Sequence, residues 1–179
     1  MKHVMWIVFV VATTLSSFLQ ANDLDNAVKY GNFLTEAVQS KQKVKLKKLP
    51  EYKAIKTYLA TNKCPGFKYN AYVVGPEEQQ YFYLVASKGG NVIIGRHFKA
   101  RKVGGAIKVG EFESSTNGCL NLGNPKTKKS VAMFATHLKP TPNEFHLLQS
   151  NLHSIALYIG TSNGMYLIEN ESIELSEEE

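Results

Sequence analysis

Tyr81-Phe82-Tyr83-Leu84-Val85, the turn Lys88-Gly89-Gly90-Asn91, and the run from Val92 to Phe98 decide the fold. Aromatic and β-branched residues in series favour a pleated strand. Gly and Asn close a short turn, so the second run is expected to pair back on the first. Gly95 inside the returning run predicts a bulge. Working outward, Tyr69 to Val74 precedes this pair across Gly75-Pro76. After it, Arg101 to Val103 and Ala106 to Phe112 flank Gly104-Gly105, which suits a two-residue hairpin turn. Strands joined by such short turns form an antiparallel meander.

Helical spacing brackets this region. Asp23 is placed to cap a helix running to about Ser40, with Leu24, Ala27, Val28, Gly31, Leu34 and Val38 on its apolar face. Pro50 suits the first position of a second helix, whose stripe is Tyr52, Ile55, Tyr58 and Leu59. Residues 114 to 130 read as a long loop. Val131 to Thr136 is apolar on both faces, as in a central strand. Thr141-Pro142-Asn143-Glu144 reads as a capping box opening a helix to about His153. Ile155 to Ile159 and Met165 to Ile168 flank Thr161-Ser162-Asn163-Gly164, a hairpin turn. The expectation is a single α+β domain over residues 22–176. It has two N-terminal helices, an antiparallel meander of about six to eight strands, and one helix before a C-terminal hairpin.

The chain has 179 residues and is 44% hydrophobic, with nine Phe and nine Tyr. That is enough to bury one core and too little for two domains of ordinary size. Met1-Lys2-His3, an apolar stretch from Val4 to Leu19, and Ala21 before a polar run have the form of a cleavable leader over residues 1–21. The chain is therefore expected to be exported, periplasmic in a bacterium and otherwise secreted, with no stable membrane insertion after cleavage. The cysteines are Cys64 and Cys119. In an oxidising compartment an even pair forms a disulfide, worth about 4 kcal/mol for a loop of this length.

Charge is unevenly spread. Net charge is +6 overall, but residues 22–168 carry +11, and six glutamates fall in the last eleven positions, ending in an acidic tail at 177–179. Seven lysines lie between Lys41 and Lys56. In Lys43-Val44-Lys45-Leu46-Lys47 they alternate with apolar residues, as on a half-buried edge strand. With Lys48, they are the candidate contacts for an acidic partner. No nucleic-acid-binding motif is present, and nucleic acid is not an expected partner.

On the third helix His146, Ser150 and His153 share a face at spacings of four and three. This face is the second candidate binding surface. It is no metal site, because His146 and His153 stand about 10.5 Å apart along the axis and zinc needs each nitrogen within about 2.1 Å. It is a poor nucleophile site, because Ser150 lacks the Gly-x-Ser-x-Gly elbow and Glu144 is taken up as the capping acid. P-loop, dinucleotide and His-Glu-x-x-His motifs are missing too, so no catalytic set, metal or cofactor is expected. Tyr69, Tyr72, Tyr81 and Tyr83 fall on two neighbouring strands and read as core before binding surface.

These features point to a small exported interaction protein, an inhibitor or toxin-neutralising (immunity-type) protein that binds another protein with an acidic surface. Two alternatives remain. One is a periplasmic module binding a small ligand or polyanion in a Tyr-lined pocket near Arg96 or Arg101. The other is a hydrolase using the His146, Ser150 and His153 face.

Overall fold

The computed structural model describes the backbone of residues 2–176 and the side chains from Ala21 to Ser176. The expected leader therefore falls, but for Ala21, outside the described side chains, and residues 177–179 of the acidic tail lie outside the description. In chain order the elements are α1 (Lys2–Gln39), α2 (Tyr52–Asn62), β1 (Lys68–Val74), β2 (Tyr81–Ser87), β3 (Val92–Ile93), β4 (Phe98–Val103) and β5 (Ala106–Ile107). They continue with β6 (Glu113–Ser114), β7 (Asn121–Gly123), α3 (Pro125–Lys128), β8 (Ala132–Thr136), α4 (Glu144–His153), β9 (Ala156–Thr161), β10 (Gly164–Glu169) and β11 (Ser172–Leu175).

The α+β architecture with its meander is present, in more and shorter strands than the sequence suggests. One sheet is ordered β1-β2-β4-β5, with β6 on β4; a second is ordered β11-β10-β9-β8; β3 and β7 form a two-stranded ribbon. Between the two larger sheets lie α1 and α4. Leu147 packs with Ile155, Leu157, Ile159, Tyr166 and Ile168 on one side of α4. Phe145 and Leu148 pack with Tyr30, Leu34, Tyr72 and Tyr83 on the other. The opposite face of the first sheet buries Phe82, Leu84 and Phe98 against Ile55 of α2. Cover on both faces explains why five consecutive residues of β2 are buried.

Local details depart from expectation for identifiable reasons. Backbone before Asp23 is already helical, so Asp23 caps nothing; no Gly or Pro interrupts the chain ahead of it. The second helix begins at Tyr52 rather than Pro50, and Glu51 accepts a hydrogen bond from the Ile107 N–H at 3.0 Å. Val92 to Phe98 is no continuous strand. Val92–Ile93 pairs with β7, and Phe98 at the far end opens β4, which pairs back on β2. The break comes at Gly95, where a Cβ would lie 2.6 Å from the Leu120 nitrogen, and at Arg96, with φ of 48°. The loop expected over residues 114–130 contains β7 and α3. Cys119 within it is joined to Cys64, just past the end of α2.

Val131 to Thr136 is an edge, not a central strand. Val131 is 87% exposed and Phe134 65%, the latter stacked on Tyr158 at 4.8 Å. β8 runs parallel to β9, with α4 as the crossover between them. The strand–helix–strand order is the sequence signature of such a unit. The cap of α4 is displaced by two residues. Asn143 Oδ1 accepts from the Phe145 N–H at 3.1 Å, and His146 Nδ1 accepts from the Asn143 N–H at 3.0 Å. Asn caps at least as well as Thr, and the shift releases Glu144 from the capping role.

Gly31 lies where α1 meets α4. A Cβ there would stand 2.8 Å from Leu147 Cδ2 and 3.1 Å from the Glu144 carbonyl oxygen. Helix propensity alone favours Gly31→Ala by about 1 kcal/mol. The contact predicts the opposite sign, a destabilisation of about 1–3 kcal/mol, read as a lower urea midpoint at unchanged m-value.

Candidate functional site

The histidine-bearing helix does not present the face its spacing suggests. His146 and Ser150 are buried, and only His153 reaches solvent, half-covered. Ser150 Oγ lies 2.7 Å from the Ile155 oxygen and 2.9 Å from the Ile168 oxygen, within donating reach of both strands. His146 Nδ1 is occupied by the helix cap. Because it accepts there, the neutral ring carries its proton on Nε2, which has no partner. Each side chain thus serves the backbone, and neither activates the other.

Two further histidines join this region. His137 lies edge-to-face with His146, ring centres 4.7 Å apart, and both its nitrogens are unpartnered. His97 was not singled out in the sequence. It is fully buried, stacked 4.7 Å from Phe145, with Nδ1 accepting from the Ala86 N–H and Nε2 donating to the Ile93 carbonyl. The interrupted strand at Gly95 is the sequence trace it leaves. Metal binding by the His137–His146 pair would require Nε2 of His146 to lose its proton while Nδ1 still accepts, leaving an imidazolate. Among the described residues, no group of three or more His, Cys, Asp or Glu could hold a metal ion.

Lys43, Lys45, Lys47 and Lys48 are exposed. The edge strand expected there is reduced to one bridge, in which the Val44 N–H donates to the Ala71 oxygen at 2.8 Å. The chain then enters a short helical turn at Leu46–Lys48. These lysines and Tyr69-Asn70-Ala71 line a groove of about 460 Å³ along the outer edge of β1. Among the described residues, ion pairs form only at Lys99, so none of the seven lysines from Lys41 to Lys56 has a carboxylate partner.

A second concavity, of about 390 Å³, opens between β2, β4, the N-terminal half of α4 and the middle of α1. At its base the Lys99 ammonium contacts Glu144 Oε1 at 3.0 Å and Glu113 Oε2 at 3.8 Å. The Tyr83 hydroxyl donates to the same Glu144 oxygen at 3.4 Å. The Glu144 side chain is 6% exposed and that of Lys99 30%. Burial, reinforced by the Glu144 carboxylate, holds the Tyr83 hydroxyl well above its ordinary range, so it stays protonated. Burial works against charge on Lys99, but Glu144 outweighs it and raises the ammonium. Tyr81 and Tyr30 form the wall, edge-to-face at 4.9 Å, with Lys99 5.7 Å above the Tyr81 ring. Of the four tyrosines singled out in the sequence, Tyr72 and Tyr83 are core and Tyr81 faces this space. Lys99 and Glu144 were missed as a pair because nothing local links positions 45 residues apart. Arg96 turns instead to the carbonyls of Asn62 and Asn117, and Arg101 is exposed.

Searches with the chain matched no protein-family model, no curated protein and no solved structure.

Burial lowers the imidazole of His97 to about 4 and, with His137 beside it, that of His146 to about 3. The unfolded chain protonates these rings near 6.5, so between 6.5 and the folded values it binds more protons than the native state. Stability is therefore complete above pH 6.5 and falls as the pH drops towards 4. His97 alone accounts for a loss of about 2 kcal/mol between pH 7 and 5, to be read by urea unfolding across that range; a flat profile would show that these rings titrate normally.

Proposed function

We propose that the protein is an exported binding protein that occludes an acidic partner protein, as an inhibitor or immunity-type protein does. The observation that carries this reading is the row of lysines without carboxylate partners, held along the open edge of β1. Lysines packed on one surface repel one another, and a complementary acidic surface removes that cost. β1 pairs with β2 on one side and takes a single bridge from Val44 on the other. An extended acidic segment therefore has backbone groups to pair with as well as ammonium groups to neutralise.

Two features support export. One is the leader-like sequence of residues 1–21. The other is the Cys64–Cys119 disulfide, which is maintained in oxidising compartments. The location follows as periplasmic in a bacterium and secreted elsewhere. Among the residues with described side chains, no helix is long and apolar enough to cross a membrane.

The test is capture of the partner from the native extract at low and high salt, alongside a variant carrying Lys43→Glu, Lys45→Glu, Lys47→Glu and Lys48→Glu. The wild type is expected to hold one near-stoichiometric acidic protein that elutes as salt rises. The variant should bind it at least about tenfold more weakly. Capture that ignores both salt and the four substitutions would remove the lysine edge as the interface.

A further inference from the structure

We propose that the cavity over Lys99 and Glu144 is a binding site for a small zwitterion of the α-amino acid class, separate from the lysine edge. The reasoning begins with the cost of the pair. Taking a carboxylate and an ammonium out of water costs several kcal/mol each, and their attraction often does no more than break even. An apolar pair of similar volume often serves a fold as well. A charge pair kept at the base of an open cavity has instead the arrangement of a recognition site.

The pair is incompletely satisfied by the protein. Both Lys99 and Tyr83 engage Oε1 of Glu144. The printed contacts of the carboxylate fall on Oε1, and Glu144 itself lines the cavity. Lys99 has three donors and two carboxylate contacts, one of them at 3.8 Å. One carboxylate and one ammonium thus line the same space side by side.

The rim repeats the mixture. Asp23 and Glu113 add negative charge and Lys139 adds positive. A simple anion would meet three carboxylates and a simple cation two ammonium groups. A molecule carrying both charges satisfies each in turn, its carboxylate at Lys99 and Lys139 and its ammonium at Glu144 Oε2. Glu144 is the first residue of α4, where the N–H groups of the first turn favour a carboxylate. The Tyr81 and Tyr30 rings offer the apolar wall for a side chain.

The test is a titration of the purified chain with the standard α-amino acids one at a time, at millimolar concentration, with methylamine, acetate and glucose as single-feature probes. The thermal midpoint and the tyrosine side-chain resonances are followed. At least one amino acid should bind saturably and shift both readouts, and methylamine, acetate and glucose should do neither. Lys99→Met and Glu144→Gln should each weaken that binding by roughly tenfold, and Lys108→Ala, at an exposed position outside both surfaces, should leave it unchanged. Should either buried variant fail to fold, Lys139→Ala at the rim reads the same loss. Saturation by no amino acid, equal binding of acetate, methylamine or glucose, or affinity indifferent to Lys99→Met and Lys139→Ala would each overturn the assignment. None of these outcomes depends on whether a protein partner binds the lysine edge.

Discussion

Everything in this fold leans on the burial of α4. Seven of its ten residues, Glu144 through Ser150, are buried in succession. Four of those are polar, and a buried polar group without a partner costs about 1–3 kcal/mol. The fold therefore has to arrange neighbours for them. Gln149 accepts from the Ile93 N–H at 2.8 Å and thereby holds β3. Ser150 meets the carbonyls of Ile155, just before β9, and of Ile168, near the end of β10. His146 closes the cap, and Glu144 is met by Lys99 of β4 and Tyr83 of β2. Apolar packing fixes the helix between both larger sheets, with Leu147 towards one and Phe145 and Leu148 towards the other. α1 completes the layer because Gly31 lets it come close.

This constraint also explains which parts of the molecule are legible in the sequence. Tyr81 to Val85 and the Asn163-Gly164 hairpin depend on neighbours a few residues away, and they form where their patterns place them. The Cys64–Cys119 bridge follows from there being one pair to make. The polar positions of α4 depend on distant strands. At spacings of three and four they look like a solvated or catalytic face, and only tertiary packing shows them turned inward. The same holds for Val131 to Thr136, whose apolar run suggests two-sided burial. It is an edge because the chain leaves no layer to cover it, and Phe134 finds its contact in Tyr158 on the exposed side. At Gly95 the sequence marks an irregularity, but not that the chain turns there to bury His97.

The two surfaces that carry chemistry differ in kind. The lysine edge is exposed and of one sign, and in the proposed function such a surface would give fast, salt-sensitive association with a large acidic partner. The cavity is mixed in sign and anchored on the first residue of the most buried helix. Its charges are set in partly buried side chains, which in the proposed site would favour selection of a small molecule by geometry. A single residue joins the structural and the chemical roles: Glu144 opens α4 and forms the base of the cavity.

The central claim is that Tyr83, Lys99 and Glu144 are charged and polar for recognition, while apolar contacts around α4 hold the fold. The most direct measurement is the unfolding free energy of the triple variant Tyr83→Phe, Lys99→Met and Glu144→Leu, which keeps volume and removes every polar atom of the cluster. The account predicts stability equal to or above the wild type, as when buried charge clusters elsewhere are replaced by packed apolar residues. A loss of about 3 kcal/mol or more, the cost expected when a needed buried pair is broken, would show that the cluster holds the fold and would contradict the account.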